Sequence, residues 1–216
     1  MIIAIDGPAA SGKSTTAKLL ARKLGFIHLN SGIMYRALTY ILMKKNMINS
    51  INTISDNFFE NLDLIFEGKN LDKVFFNKIN IYEKLYSEEV SNNIKFISNN
   101  LFIRNKLIQI QRIIISNKNV VCEGRDIGSV VFPKAEFKFY LNADVNQRVD
   151  RRFEQLYKSD VSISKKQIKK NLISRDLNDI KRENSPLIKA DDSIEIDTTD
   201  LTIKEQVDKI YKIIKE

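Results

Sequence analysis

Short apolar runs alternate with longer amphipathic stretches along most of the chain. The runs lie at residues 2–5, 26–29, 120–123, 137–141 and 193–197. They are rich in β-branched and aromatic side chains, which is typical of strands buried on both faces of a parallel sheet. Helical periodicity separates them, so the pattern predicts an α/β fold, a doubly wound five-stranded parallel sheet with ligands at the carboxyl ends of its strands.

Local signals also predict where several helices begin and end. Gly25 is expected to end the first helix as a left-handed cap. Thr202 and Glu205 form the pattern of a capping box at the start of the last helix. Further helices are expected over residues 33–42, 87–98, 101–116, from 145 onward and over 165–182, with weak helical character at 53–61.

One region interrupts the α/β alternation. Residues 62–66, 74–76 and 79–81 have the composition of short strands around turns at 67–70 and at Asn77-Lys78. This antiparallel pattern predicts an insert over about residues 36–100. The rest, about 1–35, 101–145 and 175–216, is expected to form the core of a single domain.

The strongest chemical motif follows the first strand. Gly7 and Gly12-Lys13-Ser14 fit G-x-x-x-x-G-K-[ST]. The two glycines allow the backbone to curl, so that its N–H groups form a nest for phosphate oxygens. Lys13 is expected to contact the β- and γ-phosphates, and Ser14 to bind Mg²⁺. Glu123 ends another apolar strand, where a carboxylate is placed to hold Mg²⁺ or its waters.

Two sets of polar residues have more than one interpretation. Ser31 and Arg36 are either a helix cap and a surface charge, or ligand-binding groups. In the helix over 165–182, apolar Ile173, Leu177 and Ile180 share one side. The opposite side carries Arg175, Asp179 and Arg182. Arginine–aspartate pairs on a solvated helix face are common and contribute only tenths of a kcal/mol, so periodicity alone leaves their role open.

Composition narrows the class of protein. With 216 residues, 43% of them hydrophobic, the chain can bury a sizeable core. It has no apolar run of about 18 residues, and the first strand leaves no room for a signal peptide. Cys122 is the single cysteine and His28 the single histidine. These features predict a cytoplasmic protein that is not bound to a membrane and has neither disulfides nor a His/Cys metal cluster.

The net charge of +8 suggests an anionic partner. The lysines are scattered, however, and are expected to lie on solvated helix faces. No RNA-binding module is recognisable. Small phosphorylated ligands therefore account for the arginines better than a nucleic acid does.

Four blocks of residues, taken together, resemble the bacterial cytidylate kinases, a P-loop family of nucleoside monophosphate kinases. The blocks are Ile5-Asp6-Gly7-Pro8 with Lys13, Asn30-Ser31-Gly32 with Tyr35-Arg36, Glu123-Gly124-Arg125-Asp126 with Gly128 and residues 130–133, and Arg175-Asp176 with Asp179 and Arg182. The resemblance extends in the same order from residue 1 to about residue 210. It implies transfer of the γ-phosphoryl of ATP to CMP or dCMP, with Mg²⁺, by a monomer that binds no nucleic acid.

The resemblance also implies a role for each matching residue. Those implied to hold the ATP phosphates are Gly7, Pro8, Ala9, Ala10, Ser11, Gly12, Lys13, Ser14 and Thr15, with Ser14 and Glu123 as metal ligands. Those implied to line the CMP site are Ser31, Arg36, Arg112, Arg125, Asp126, Arg175, Asp179 and Arg182. Arg148 and Arg152 are implied to act on ATP from a short helical lid over about 148–165, and the insert at 36–100 to bind the nucleoside monophosphate.

The catalytic set that the resemblance implies is Lys13, Arg125, Arg152 and Arg182. An acceptor phosphate is already nucleophilic, so positioning and charge stabilisation suffice without a general base.

Three positions depart from the family pattern. Asn30 stands where Asp is usual, Glu123 where Asp is common, and Lys95 where a serine is expected near the cytosine. A helix shifted by a few residues would restore the last contact through Ser91 or Ser98.

Two other classes remain as alternatives at this point. One is a small-molecule kinase with a similar core, such as a shikimate or gluconate kinase, although these lack a comparably long β-containing insert. The other is a P-loop switch or RNA-associated NTPase that hydrolyses its nucleotide. The guanine-selecting motif N-K-x-D begins at Asn117-Lys118 but fails at its fourth position, which is Val120.

Overall fold

The computed structural model describes residues 1–68, 71–157 and 163–216. Its strands are β1 (Ile2–Asp6), β2 (Ile27–Asn30), β3 (Leu64–Glu67), β4 (Lys73–Phe76), β5 (Ile79–Asn80), β6 (Val120–Glu123), β7 (Phe137–Asn142) and β8 (Ile194–Asp197). Its α-helices are α1 (Lys13–Leu24), α2 (Ser31–Lys44), α3 (Asp56–Glu60), α4 (Glu88–Asn99), α5 (Leu101–Ile114), α6 (Val145–Tyr157), α7 (Lys165–Lys181) and α8 (Ile203–Lys215). Tighter or wider turns form 3₁₀ helices at Ile48–Thr53 and Tyr82–Tyr86 and a π-helix at Ile127–Val131.

The predicted α/β fold with a five-stranded parallel sheet is confirmed. The strand order is β2-β6-β1-β7-β8, and β1 runs parallel to both β6 and β7. Ile5 lies beside Glu123, so β1 and β6 end at the same level of the sheet. That shared end places the start of the phosphate loop close to the carboxylate that ends β6.

The chain divides into two compact units, Met1–Phe26 with Asn119–Glu216, and Ile27–Lys118. The core of the first unit contains Ile3 and Ile5 of β1, Phe139 and Leu141 of β7, and Ile196 of β8. Helices α1 and α8 pack against each other in the same unit. Apolar side chains on both faces of these strands are buried, as expected for the interior of a parallel sheet.

The second unit contains the predicted antiparallel patch, in the strand order β3-β4-β5. Asn77 and Lys78, at φ 49° and 64°, both take left-handed backbone conformations in the turn between β4 and β5, as a two-residue hairpin turn requires. The unit is wider than the predicted insert because α2, whose Ile33 and Ala37 join its core, and α5 belong to it. The single-domain interpretation and its boundaries stay predictions.

Both predicted helix-end signals are confirmed. Gly25 ends α1 at φ 73°, and Thr202 and Glu205 form a complete capping box at the start of α8. The short 3₁₀ and π-helices were not predicted. Part of the predicted turn at 67–70 (Lys69, Asn70) lies outside the described residues. Among the helices that the structure describes, none is both long enough and apolar enough to cross a membrane.

Helix α7 buries a different side from the one that its apolar stripe suggests. Ile173, Leu177 and Ile180 are 40%, 46% and 50% exposed. The buried positions of this helix are Ile168, Leu172 and Asp176. The buried side of α7 therefore includes a carboxylate, and its tertiary neighbours rather than its hydrophobic pattern select that side.

Candidate active site

The two motif glycines of the phosphate loop both have a positive φ, a backbone conformation that favours glycine. Gly7 has φ 145°, and a Cβ atom there would lie 2.1 Å from the backbone oxygen of Leu141. Gly12 has φ 94°, and its Cβ would lie 2.9 Å from Oε1 of Gln206. Positive φ and close backbone approach are the physical reasons for glycine in such a loop. The curled loop predicted from the motif is therefore present.

Lys13 lies inside this loop and is buried. Its Nζ donates to the backbone oxygen of Pro8 and, at 3.3 Å, to Oγ of Ser11. Burial, reinforced by the positive charge of Arg125, holds the pKa of Lys13 well below its ordinary value. Because it costs free energy to bury the charged form of Lys13, an anion that binds beside it, such as a phosphate, stabilises that form strongly.

Ser14 and Glu123 lie side by side at the start of α1 and the end of β6. The Ser14 hydroxyl donates to Oε2 of Glu123 at 2.6 Å, and Glu123 is buried. Mg²⁺ prefers oxygen ligands and commonly takes one or two from protein, the rest coming from phosphate and water. The donor set of this corner, a hydroxyl and a carboxylate, fits Mg²⁺, and Glu123 in place of the more common Asp preserves it.

Asp6, the last residue of β1, anchors the turn that follows β6. Its two carboxylate oxygens accept hydrogen bonds from the backbone N–H groups of Ile127 at 2.9 Å and Gly128 at 2.8 Å. Burial raises the pKa of Asp6 to about 6, even though both hydrogen bonds act in the opposite direction. The role of Asp6 was missed from sequence, because its partners lie more than 100 positions away.

A cluster of opposite charges joins the π-helix region to the end of α7. Arg125 Nε donates to Asp179 at 2.9 Å, and Arg182 lies 3.7 Å from Asp179 and 3.5 Å from Asp126. Burial by itself raises the pKa of Asp179, but Arg125, Arg175 and Arg182 together hold it below its ordinary value. The Arg182 side chain is 5% exposed, so the solvated-face alternative is wrong for this residue. Arg175, by contrast, is exposed.

The two arginines assigned to the lid differ in environment. Arg148 is buried and donates to the backbone oxygens of Ala143 at 3.2 Å and Ala9 at 3.1 Å, and it also pairs with Asp176. Arg152 is partly buried and donates to Gln155 at 3.3 Å. Of the lid expected over about 148–165, residues 158–162 lie outside the described part of the chain. The lid and the roles of both arginines stay predictions.

The second unit contributes its own buried cation. Arg36 is buried and donates to the backbone oxygen of Leu85 at 2.8 Å and to Oγ of Ser91 at 3.1 Å. Its guanidinium lies 5.3 Å from the centre of the Tyr86 ring. Ser31 is buried and is the first residue of α2, whose cap is Asn30. The alternative of a surface charge is therefore wrong for Arg36, and that of a helix cap is wrong for Ser31.

Helix α5 carries a buried arginine that sequence analysis missed. Arg104 is 1% exposed, donates to the backbone oxygen of Ser98 at 3.2 Å and lies 5.5 Å from the Tyr35 ring. Arg112, assigned to the CMP site, is exposed. A signal was available: Arg104 falls on the same helix face as the buried Leu107 and Ile108. Arginine is almost never fully buried without a partner, so a charge at a core position marks a candidate functional residue.

The two serines offered as substitutes for the serine expected at Lys95 differ in their contacts. Ser91 accepts a hydrogen bond from Arg36, whereas the Ser98 hydroxyl donates to the backbone oxygen of Lys95 within its own helix. Lys95 itself is exposed, with its Nζ 5.2 Å from the Phe96 ring. Ser91 is therefore the serine that shares surroundings with a site arginine.

Comparison with known proteins decides the family. The sequence profile of the family described as cytidylate kinase matches residues 3–216. The chain belongs to the cytidylate kinase family. A cytidylate kinase of Thermotoga maritima is 42% identical over 216 residues, covering 99% of this chain and 96% of its own length. The cytidylate kinase of Listeria welshimeri is 40% identical over 214 residues, with the same coverage of both chains. The resemblance inferred from the four blocks is confirmed.

Solved structures support the fold of this family member. A protein from Thermus thermophilus named TT1252 superposes with a TM-score of 0.50 at 14% identity, over 99% of this chain and 95% of that chain. An uncharacterized protein from Eubacterium ventriosum gives 0.51 at 13% identity, over 100% and 99%. At such low identity these matches bear on the fold alone.

Proposed function

We propose that this cytidylate kinase family member transfers the γ-phosphoryl group of ATP to CMP or dCMP, which yields ADP and CDP or dCDP. The observation that carries the proposal is the family match over residues 3–216. The phosphate loop built around buried Lys13 supports it independently. The protein is then a phosphotransferase whose acceptor is itself a phosphate group, acting in pyrimidine nucleotide metabolism.

The first unit supplies the groups for ATP. Lys13 contacts the β- and γ-phosphate oxygens, whose negative charge shifts as the phosphoryl group leaves, and stabilises that shift. Ser14 and Glu123, 2.6 Å apart, would hold Mg²⁺. When bound, the ion neutralises phosphate charge. The loop from Gly7 to Thr15 orients the phosphates through its backbone.

Arginines handle the second anion. Guanidinium groups match phosphate oxygens bidentately and keep their charge at every physiological pH. In this proposal Arg125 and Arg182 bring the acceptor phosphate into line and offset the repulsion between the two substrates, and Arg36 is a further group that binds CMP. Asp126 and Asp179 keep two of these arginines oriented, as their distances of 3.5 Å and 2.9 Å allow. The acceptor oxygen is already ionised, so the reaction needs no general base.

An acceptor panel tests the proposal. ADP formation is measured with ATP and Mg²⁺ plus CMP, dCMP, UMP, AMP, shikimate or no acceptor. We expect CMP and dCMP to give turnover far above the rate without acceptor. Preference for shikimate would instead support the small-molecule kinase alternative. Equal ATP hydrolysis with and without acceptor would support a switch or RNA-associated NTPase.

Several finer features belong to the same proposal and stay predictions. They are the preference between CMP and dCMP, a monomeric state, a cytoplasmic location and independence from nucleic acid. The roles assigned to Arg112, Arg148, Arg152 and Arg175 have the same standing.

A further inference from the structure

One carboxylate ties the phosphate loop to two helices. Asp176 Oδ1, on α7, accepts a hydrogen bond from the backbone N–H of Ala9 at 2.9 Å. The other oxygen of Asp176 pairs with Arg148 of α6. Arg148 then donates to the backbone oxygen of Ala9 at 3.1 Å. These three contacts form a closed ring that holds both the N–H and the C=O of a single loop residue.

The three residues of the ring are buried and largely shielded from solvent. Asp176 is 7% exposed, Arg148 8% and Ala9 4%. Ala9 also packs in a small apolar cluster with Val149, Ile168 and Leu172 of α6 and α7. Hydrogen bonds to charged groups are stronger and more directional when water is excluded. The position of Ala9 is therefore fixed by both polar and apolar contacts to the same two helices.

The next residue shows why such fixing matters. Ala10 has φ 60°, a left-handed conformation that is uncommon for a residue with a Cβ atom. Conformations of this kind persist only where the surrounding structure over-determines them. A phosphate nest depends on the direction of consecutive N–H groups, so a shift at Ala9 propagates into the groups that meet the phosphates.

We propose that Asp176 is a positioning residue for the ATP subsite, which acts by holding Ala9 and Arg148 in place rather than by touching substrate. The inference rests on the proposed kinase function. The sequence by itself indicates no role for Asp176. A carboxylate suits the position because it accepts from the Ala9 N–H with one oxygen and from the Arg148 guanidinium with the other. An amide has one acceptor oxygen, and its NH₂ group faces a donor.

The test compares Asp176→Asn with a matched control. Lys169 of α7 is exposed and donates to Oδ1 of Asn146 of α6 at 2.9 Å. Both residues lie outside the predicted lid, so Lys169→Met removes a charge and a polar contact between the same two helices without changing a residue assigned to ATP. For Asp176→Asn we expect the Kd of ATP, titrated without acceptor, to rise about tenfold. The KM for CMP should change less than about twofold, and Lys169→Met should leave both values within about twofold of wild type.

The outcomes separate positioning from general support of the fold. Equal weakening of ATP and CMP binding by Asp176→Asn, or an unchanged Kd for ATP, would overturn the proposal. If Asp176→Asn does not fold, Asp176→Glu takes its place. That variant keeps the negative charge beside Arg148 but moves the carboxylate oxygens by the length of one methylene group, so the contacts to the Ala9 N–H and to Arg148 are not both retained. The same selective loss of ATP affinity is expected. The ATP titration does not depend on the acceptor, so a wrong acceptor assignment would appear in the panel and leave this test intact.

Discussion

Arginines of the two units have different partners. In the first unit, the partly buried Arg125 and the buried Arg148 pair with Asp179 and Asp176 of α7. In the second unit, Arg36 is held by a backbone oxygen, a hydroxyl and the face of an aromatic ring. Neutral partners fix the position of a guanidinium and leave its charge uncompensated. A carboxylate fixes the position and also neutralises the charge.

The same contrast appears among the acids of the first unit. Asp6 receives two neutral N–H donors, and burial raises its pKa to about 6. Asp179 is partly buried, which also raises its pKa, yet Arg125, Arg175 and Arg182 more than reverse that effect and lower it. Neutral hydrogen bonds therefore do not offset the desolvation of Asp6, but cationic partners more than offset that of Asp179. The charge of its partners therefore decides whether a carboxylate that is shielded from water stays ionised at a low cost in free energy.

The largest effect is expected at Lys13, a cation of the first unit that, like Arg36, is held by neutral oxygens. Lys13→Ala should lower kcat about 100-fold or more, because its charge meets charge that develops only during transfer. Steady-state kinetics and circular dichroism provide the measurement. Lys23 lies on the same helix as Lys13 and forms an exposed ion pair with Asp208 of α8. Lys23→Ala is therefore the control and should be near wild type. Near-normal turnover in a folded Lys13→Ala protein would remove the phosphate-loop assignment.

A second prediction concerns Asp6 and pH. Its pKa rises from 3.8 to about 6 on folding, so the folded state binds the proton more tightly than the unfolded state. The contribution to stability is fully present below about pH 4 and is lost as the pH rises through about 6, in total about 3 kcal/mol. Urea unfolding of wild type and Asp6→Asn gives the free energy of unfolding of each protein from pH 4 to 7. The value for wild type minus that for Asp6→Asn should fall as the pH rises over this range. If the free energies of unfolding of the two proteins ran parallel against pH, the raised pKa of Asp6 would be contradicted.

The smallest effect separates the two kinds of arginine directly. Arg125→Met should destabilise the fold by about 2 kcal/mol, because it leaves Asp179 buried beside fewer cations. Arg36→Met should cost about 1 kcal/mol, because the hydrogen bonds to Leu85 and Ser91 that it removes go to neutral groups. Both variants should raise the KM for CMP far more than that for ATP.

Two results would break this last prediction. If Asp179→Asn in the Arg125→Met background restored no stability, the charge pairing would not be the cause. If ATP affinity collapsed while CMP binding stayed normal, the arginines would have been assigned to the wrong substrate.

Much of this molecule follows from local sequence. The five parallel strands, the glycine that ends α1 and the capping box of α8 were all predicted, because each depends on residues within a few positions of one another. The phosphate loop was predicted for the same reason. Gly7, Gly12 and Lys13 lie within seven positions, and the positive φ of the two glycines is a local requirement, although the close approach of Leu141 to Gly7 comes from a distant segment.

What only the tertiary structure decided is which polar groups are buried and with whom they pair. On α5 the sequence offered Arg112, whereas the fold buries Arg104. On α7 it offered an apolar stripe, whereas the fold buries Asp176. The physical reason is that burial of a side chain, and hence its pKa and its partners, is set by segments that arrive from far along the chain. Asp176 meets Ala9 across 167 positions, a distance over which helical periodicity carries no information.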